Sequence, residues 1–203
     1  MKNTLCLLLI LLFVAACTTN SSPDSQNEKP AGLVDSSMAK IPKKEPQPLK
    51  NTAPAFEKTV LCQKIKFNVR EVLDGESAMI HVSNDDLSIR KYDHEFPVQG
   101  RIQSAFGTDQ NDDGFCELYL IIQSNEDDEK LEIIGVASYN DKSAGEINVN
   151  DVNLARRKGS DKVYVHYDKL KREFYDENGV LHVYNYNLIK GEAGFILEPV
   201  RYK

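Results

Sequence analysis

From Thr59 onward, apolar and polar residues alternate with a period of two, in runs separated by turn signals. That period sends successive side chains to opposite faces, so these runs can bury one face only as β-strands. Val60 to Leu73 and Ser77 to Val82 flank Asp74-Gly75, a hairpin signal. Pro97 to Phe106 and Phe115 to Gln123 flank an Asp-rich turn, and Leu131 to Tyr139 makes a further strand. Val163 to Tyr175 and Val180 to Ile189 flank Asn178-Gly179, the strongest turn signal in the chain. Phe195 to Tyr202 follows Gly191-Glu192-Ala193-Gly194. Between residues 180 and 188, His182, Tyr184 and Tyr186 share one face, while Leu181 and Val183 lie on the other. A short helix is expected near Asp151 to Lys158. No stretch repeats at a fixed period. The expectation for residues 57–203 is an all-β domain, an antiparallel β-sandwich of about eight strands with one short helix.

The start of the chain reads differently. Lys2 precedes an apolar run from Leu5 to Phe13, then Val14-Ala15-Ala16-Cys17. A basic start, a short apolar core and small residues before the cut describe a secretory signal over residues 1–16. The run is too short to span a bilayer, which takes about 20 apolar residues. The cysteine directly after Val-Ala-Ala resembles the lipobox of bacterial lipoproteins, which implies that Cys17 carries lipid and leads the mature chain. Several acyl chains together make a stable anchor. Thr18 is not the Asp that retains such proteins in the inner membrane, so an envelope location with the outer membrane favoured is expected. Residues 17–56 hold six of the eight prolines and little apolar content, which describes a disordered tether.

Acidic residues number 31 against 25 Lys and Arg, a formal charge of −6. With no basic cluster to neutralise phosphates, nucleic acid is not an expected partner. Cys6 leaves with the signal and Cys17 is expected to be lipidated, so Cys62 and Cys116 remain. In an oxidising compartment two such thiols most simply pair, the alternative being two separately buried free thiols.

No catalytic constellation is present. His81, His94, His166 and His182 are scattered, and the chain has neither a Gly-x-Ser-x-Gly elbow nor a phosphate-cradling glycine loop. The chain is therefore expected to act by binding rather than as an enzyme. One motif could hold a cofactor. In Asp109-Gln110-Asn111-Asp112-Asp113-Gly114-Phe115-Cys116-Glu117, oxygen side chains fall at positions 1, 3, 5 and 9, with glycine at 6. Asp109, Asn111, Asp113 and Glu117 could wrap calcium, with the Phe115 carbonyl at position 7. Leu120 at position 12 excludes an EF-hand. The alternative is an acidic turn whose Asp and Asn side chains satisfy its own backbone.

Val98-Gln99-Gly100-Arg101-Ile102, the Asp109 to Tyr119 stretch, Ile133 to Ser143, Leu170-Lys171-Arg172-Glu173-Phe174 and Tyr186 to Leu197 occur in order. Together they resemble the periplasmic inhibitors of invertebrate-type lysozyme. The ordered set, with Gly-Glu-Ala-Gly-Phe, is far more specific than the Asp-x-Asn-x-Asp-Gly piece alone. The resemblance implies a β-sandwich, export, frequent homodimers, and inhibition by a loop that plugs the lysozyme cleft. That loop typically carries Ser-Gly-Ser with a nearby Tyr. Here Ser124 matches its first serine, but Asn125-Glu126-Asp127-Asp128-Glu129-Lys130 follows. Four carboxylates set against the two carboxylates of a lysozyme cleft meet like charge. They could instead meet a basic rim, or form a solvated hairpin tip. The expected partner is thus a lysozyme or cell-wall material; an envelope structural or interaction module is the alternative.

Overall fold

The computed structural model describes residues 55–75, 77–126 and 130–201. The signal segment, Cys17 and nearly all of the tether lie outside the described residues, as do Asp127, Asp128 and Glu129. The described residues are all-β, and their first four strands form one sheet: β1 (Phe56–Cys62), β2 (Ile65–Asp74), β3 (Ser77–Asn84) and β4 (Tyr92–Val98). The other eight are β5 (Gly100–Thr108), β6 (Glu117–Ser124), β7 (Leu131–Tyr139), β8 (Ser143–Val149), β9 (Arg157–His166), β10 (Lys169–Asp176), β11 (Leu181–Lys190) and β12 (Phe195–Arg201). They form a second sheet in the order β5-β6-β7-β8-β12-β11-β10-β9. Pairing is antiparallel except for two residues where β12 runs parallel to β8.

The count of about eight strands is corrected to twelve among the described residues. Val60 to Leu73 breaks at Gln63-Lys64, and Val163 to Tyr175 breaks at Tyr167-Asp168. Neither turn carries the glycine or proline that would announce it. Gln63, Tyr167 and Asp168 take positive φ of 54°, 50° and 57° without being glycine. For an L-residue that conformation costs roughly 1–2 kcal/mol. The expected helix near Asp151 to Lys158 is absent; no helix occurs among the described residues, and Arg157 and Lys158 open β9. Local side-chain bonds compete with helix there, since Asn153 Oδ1 accepts from the Ala155 amide at 2.9 Å and the Asp151 carboxylate is bound by the Tyr186 hydroxyl.

β6 joins two cores. Its residues Leu118, Leu120 and Ile122 face the four-stranded sheet, packing with Phe67, Ile80 and Val82. Tyr119 and Ile121 face the inside of the eight-stranded sheet, with Leu170, Tyr186 and Leu197. All five are fully buried, which explains why β6 reads as a continuous apolar run rather than an alternation. Each such side chain contributes about 2 kcal/mol on burial.

Two ties lock the layers together. A bulge in β5 between Ile102 and Ser104 accompanies a bond from the Ile102 amide to Glu71 Oε1 in β2, at 2.9 Å. Cys62 and Cys116 form a disulfide, linking the end of β1 to the residue before β6. With a sequence separation of 54 residues, the cross-link stabilises by about 4 kcal/mol in the chain-entropy account. Gly107 makes room for it, because a Cβ there would lie 2.5 Å from Cys62 Cβ.

The eight-stranded sheet curls until its far strands meet its near ones. Arg172 on β10 points into the interior with no solvent exposure. Its Nε donates to Asp161 Oδ1 at 3.0 Å, its Nη2 to Asp161 and to the Leu131 carbonyl, and its Nη1 to Asp151. Asp161 also accepts the Leu131 amide at 3.1 Å, and Tyr186 Oη donates to Asp151 at 2.5 Å. Burial alone would lower the guanidinium's pKa, but the bond to Asp161 and the Asp151 charge more than reverse it. Arg172→Met is expected to cost about 3–5 kcal/mol in denaturant unfolding, because Asp161 is left charged and buried. Replacing Asp151 and Asp161 by leucine alongside it is expected to recover much of that loss.

Candidate functional site

The sequence-derived candidates fall at opposite ends of β6. Its seven residue steps span roughly 23 Å, so the Asp-rich loop and the acidic β6–β7 connection cannot form one site.

In the Asp-rich loop, the side chains fold the loop on itself. The Asp113 amide donates to Asp109 Oδ1 at 3.0 Å and the Gly114 amide to Asp109 Oδ2 at 2.9 Å. The Phe115 amide donates to Asp113 Oδ1 at 2.9 Å, and Asn111 Nδ2 to Asp113 Oδ2 at 2.9 Å. Asp112 and Gly114 take φ of 60° and 86°. Among the described residues no three His, Cys, Asp or Glu side chains are placed to hold a metal ion. The oxygens of Asp109 and Asp113 are instead directed at amides of their own loop.

The loop's other work is to dock. Gln110, invisible as a functional residue in the sequence, donates from Nε2 to the Tyr186 carbonyl at 2.5 Å and accepts the Leu170 amide at 2.7 Å. Lys169 Nζ bonds to the Gln110 carbonyl at 2.7 Å and to Asp112 at 2.6 Å. These contacts close the curled sheet at this end as Arg172 does farther along.

Glu117 lies fully buried beneath the loop. Its Oε2 accepts the Gln110 amide at 2.8 Å, and its Oε1 has no partner among the described residues. Burial pushes its pKa up from 4.5 to about 8, with the Asp113 and Asp109 charges adding to the rise and the Gln110 bond and Lys169 opposing it. The Tyr119 hydroxyl, on the same face, is also buried without a partner, and its pKa is raised by burial and by Glu117.

At the far end of β6, Ser124 is buried and structural. Its amide donates to the Lys130 carbonyl at 3.1 Å, and its hydroxyl accepts the Glu126 amide at 3.2 Å. The Asn125 amide donates to the Gln99 carbonyl at 3.1 Å. Glu126 is exposed. Leu131, directly after the connection, is gripped on both its amide and its carbonyl by Asp161 and Arg172.

The histidines are separate, as their spacing implies. His81 pairs with Asp93, His94 with Glu146 and His182 with Asp176. His182 lines a depression of about 260 Å³ together with Asn153, Arg156, Phe174, Asp176 and Tyr184. Its Nε2 lies 2.9 Å from Asp176 Oδ2, and that bond is the main reason the Asp176 pKa is lowered. Asp176 Oδ1 also accepts the Asn178 and Val180 amides, so the pair fixes the Asn178-Gly179 turn.

Comparison with protein-family models and with characterised proteins finds no match.

Between pH 4.5 and pH 8, folded Glu117 holds a proton that the unfolded chain has released, so stability falls as pH rises across that window. The slope for one such proton is about 1.4 kcal/mol per pH unit. Glu117→Gln is expected to flatten it and to melt higher than wild type at pH 8, as thermal melts across the range would show. Melts at neutral pH with calcium and with chelator are expected to superimpose.

Proposed function

We propose that this chain is an exported, lipid-anchored binding protein of the cell envelope whose target is a lysozyme or a related muramidase. The observation that carries this reading is the anchorage of the β6–β7 connection. Ser124, Asn125 and Leu131 are tied to Lys130, Gln99, Asp161 and Arg172, so an acidic loop leaves the sheet from a rigid base. Flanks held in this way need no ordering of their own when a partner binds. The Cys62–Cys116 disulfide fits an oxidising compartment. The ordered resemblance to inhibitors of invertebrate-type lysozyme supports the choice of target. The missing Ser-Gly-Ser favours contact with the basic rim of a cationic lysozyme over contact with its catalytic carboxylates, since buried like charges oppose one another.

A second reading, binding of cell-wall material, draws on the depression lined by Phe174, His182, Tyr184 and Arg156. Aromatic walls with a few polar groups suit a small polar ligand.

The full chain in detergent, offered a panel of lysozymes, is expected to capture at least one. Deleting residues 126–129 is expected to weaken that capture about tenfold, or about 1.4 kcal/mol. Micromolar protein that leaves every lysozyme unbound and fully active would remove the inhibitor reading.

A further inference from the structure

Two large apolar side chains stand exposed at the end of the fold where the Asp-rich loop turns: Leu61, 69% exposed, and Tyr167, 86% exposed. Leu61 walls a cavity of about 410 Å³ whose other walls include Gln63, Thr108, Asp109, Asp112 and Asp168. Tyr167 is the neighbour of Asp168 in the β9–β10 turn.

That turn uses costly residues. Its two central positions both have positive φ, a geometry that favours Asn-Gly or Asp-Gly. At the β7–β8 turn, with the same signs of φ, the chain supplies Asn140-Asp141, residues that tolerate it. At the β9–β10 turn it supplies a tyrosine, whose ring touches only the adjacent His166 ring among the described aromatic side chains. The turn is held in place from below by Thr108 Oγ1, which donates to the Asp168 carbonyl at 2.8 Å. Fold stability therefore does not account for an aromatic side chain at position 167, and contact with an outside surface does.

The charge of the cavity says what kind of surface. Three aspartates line it and no cation does. Lys169 covers Asp112, and Asp109 is engaged by its own loop and by Gln63 Nε2. The Asp168 carboxylate makes no hydrogen bond or ion pair among the described residues. We infer that this end of the molecule is a docking surface for a basic protein surface, which inserts a lysine or arginine beside Asp168 and covers Tyr167 and Leu61 with apolar neighbours. An arginine there can pair with the carboxylate and stack on the tyrosine face. The inference rests on the proposed reading only in that the chain acts by binding a protein. It adds a second contact, at the opposite end of β6 from the acidic connection.

Two measurements on the full chain in detergent test it. Agmatine, as a free guanidinium probe, is titrated while backbone amide resonances are followed. Shifts are expected to concentrate at Gln63, Thr108, Asp112 and Asp168, with at least about threefold weaker binding in Asp168→Asn. Scattered shifts, no shifts, or undiminished binding in that variant would overturn the docking surface. In the second arm, Tyr167→Asn with Asp168→Gly, a relaxed turn, is expected to melt higher than wild type yet capture a basic lysozyme about tenfold less well. Equal capture would overturn this inference and leave the lysozyme reading standing. If neither form captures any lysozyme, that reading falls, and the agmatine titration alone decides the docking surface.

Discussion

Arg172 lies without solvent contact where β10, the start of β7, β9 and the β8–β9 crossing segment converge. Its fork is filled by two carboxylates and a backbone carbonyl, and Tyr186 completes the set. A buried guanidinium in a low-dielectric core is tolerable only when every donor is matched, and here the matching groups come from elements that would otherwise drift apart. The ion group therefore specifies which strands meet, more than it adds net stability. The crossing segment must pass three strands to reach β9, and the pull of Asp151 toward Arg172 fixes its course.

β6 then sets the scale of everything around it. Because both its faces are covered, it cannot shift register without moving apolar side chains of both cores at once. The points where the loops leave its two ends are consequently held at a fixed separation on a rigid strand. One end is latched by Gln110, the other by Leu131 and Ser124. This is a scaffold suited to presenting surfaces, and it explains why the Asp-rich loop acquires a defined geometry.

Much of this architecture was legible from the chain alone. Asp74-Gly75 and Asn178-Gly179 mark real hairpins, the continuous run after Cys116 is the doubly covered strand, and the Cys62–Cys116 pairing is present. What escaped were the turns whose residues disguise them, Gln63-Lys64 and Tyr167-Asp168, where the tertiary frame imposes positive φ on side chains that do not advertise it. Arg172 shares its face with Leu170 and Phe174, so its burial could be read from parity. Its partners could not, because Asp161, Asp151 and Leu131 stand 11, 21 and 41 residues away. The Asp-rich loop shows the same limit. Its composition suits an ion or a self-contained turn equally, and the bonds from its amides to Asp109 and Asp113 could not be read from it. Ser124, matched by resemblance to an inhibitory serine, spends its hydroxyl within its own hairpin.

The disulfide has a mechanical meaning as well. β1 is an edge strand, and residues preceding Phe56 enter the fold through it. A pull from that side would strip β1 away from β2 one pair at a time, the weakest direction in which a sheet can be loaded. The peeling can proceed only as far as Cys62, where the covalent bond hands the load to Cys116 and thence to β6. Tension on the leading segment is thereby delivered to the most deeply packed strand of the molecule, and both sheets bear it together.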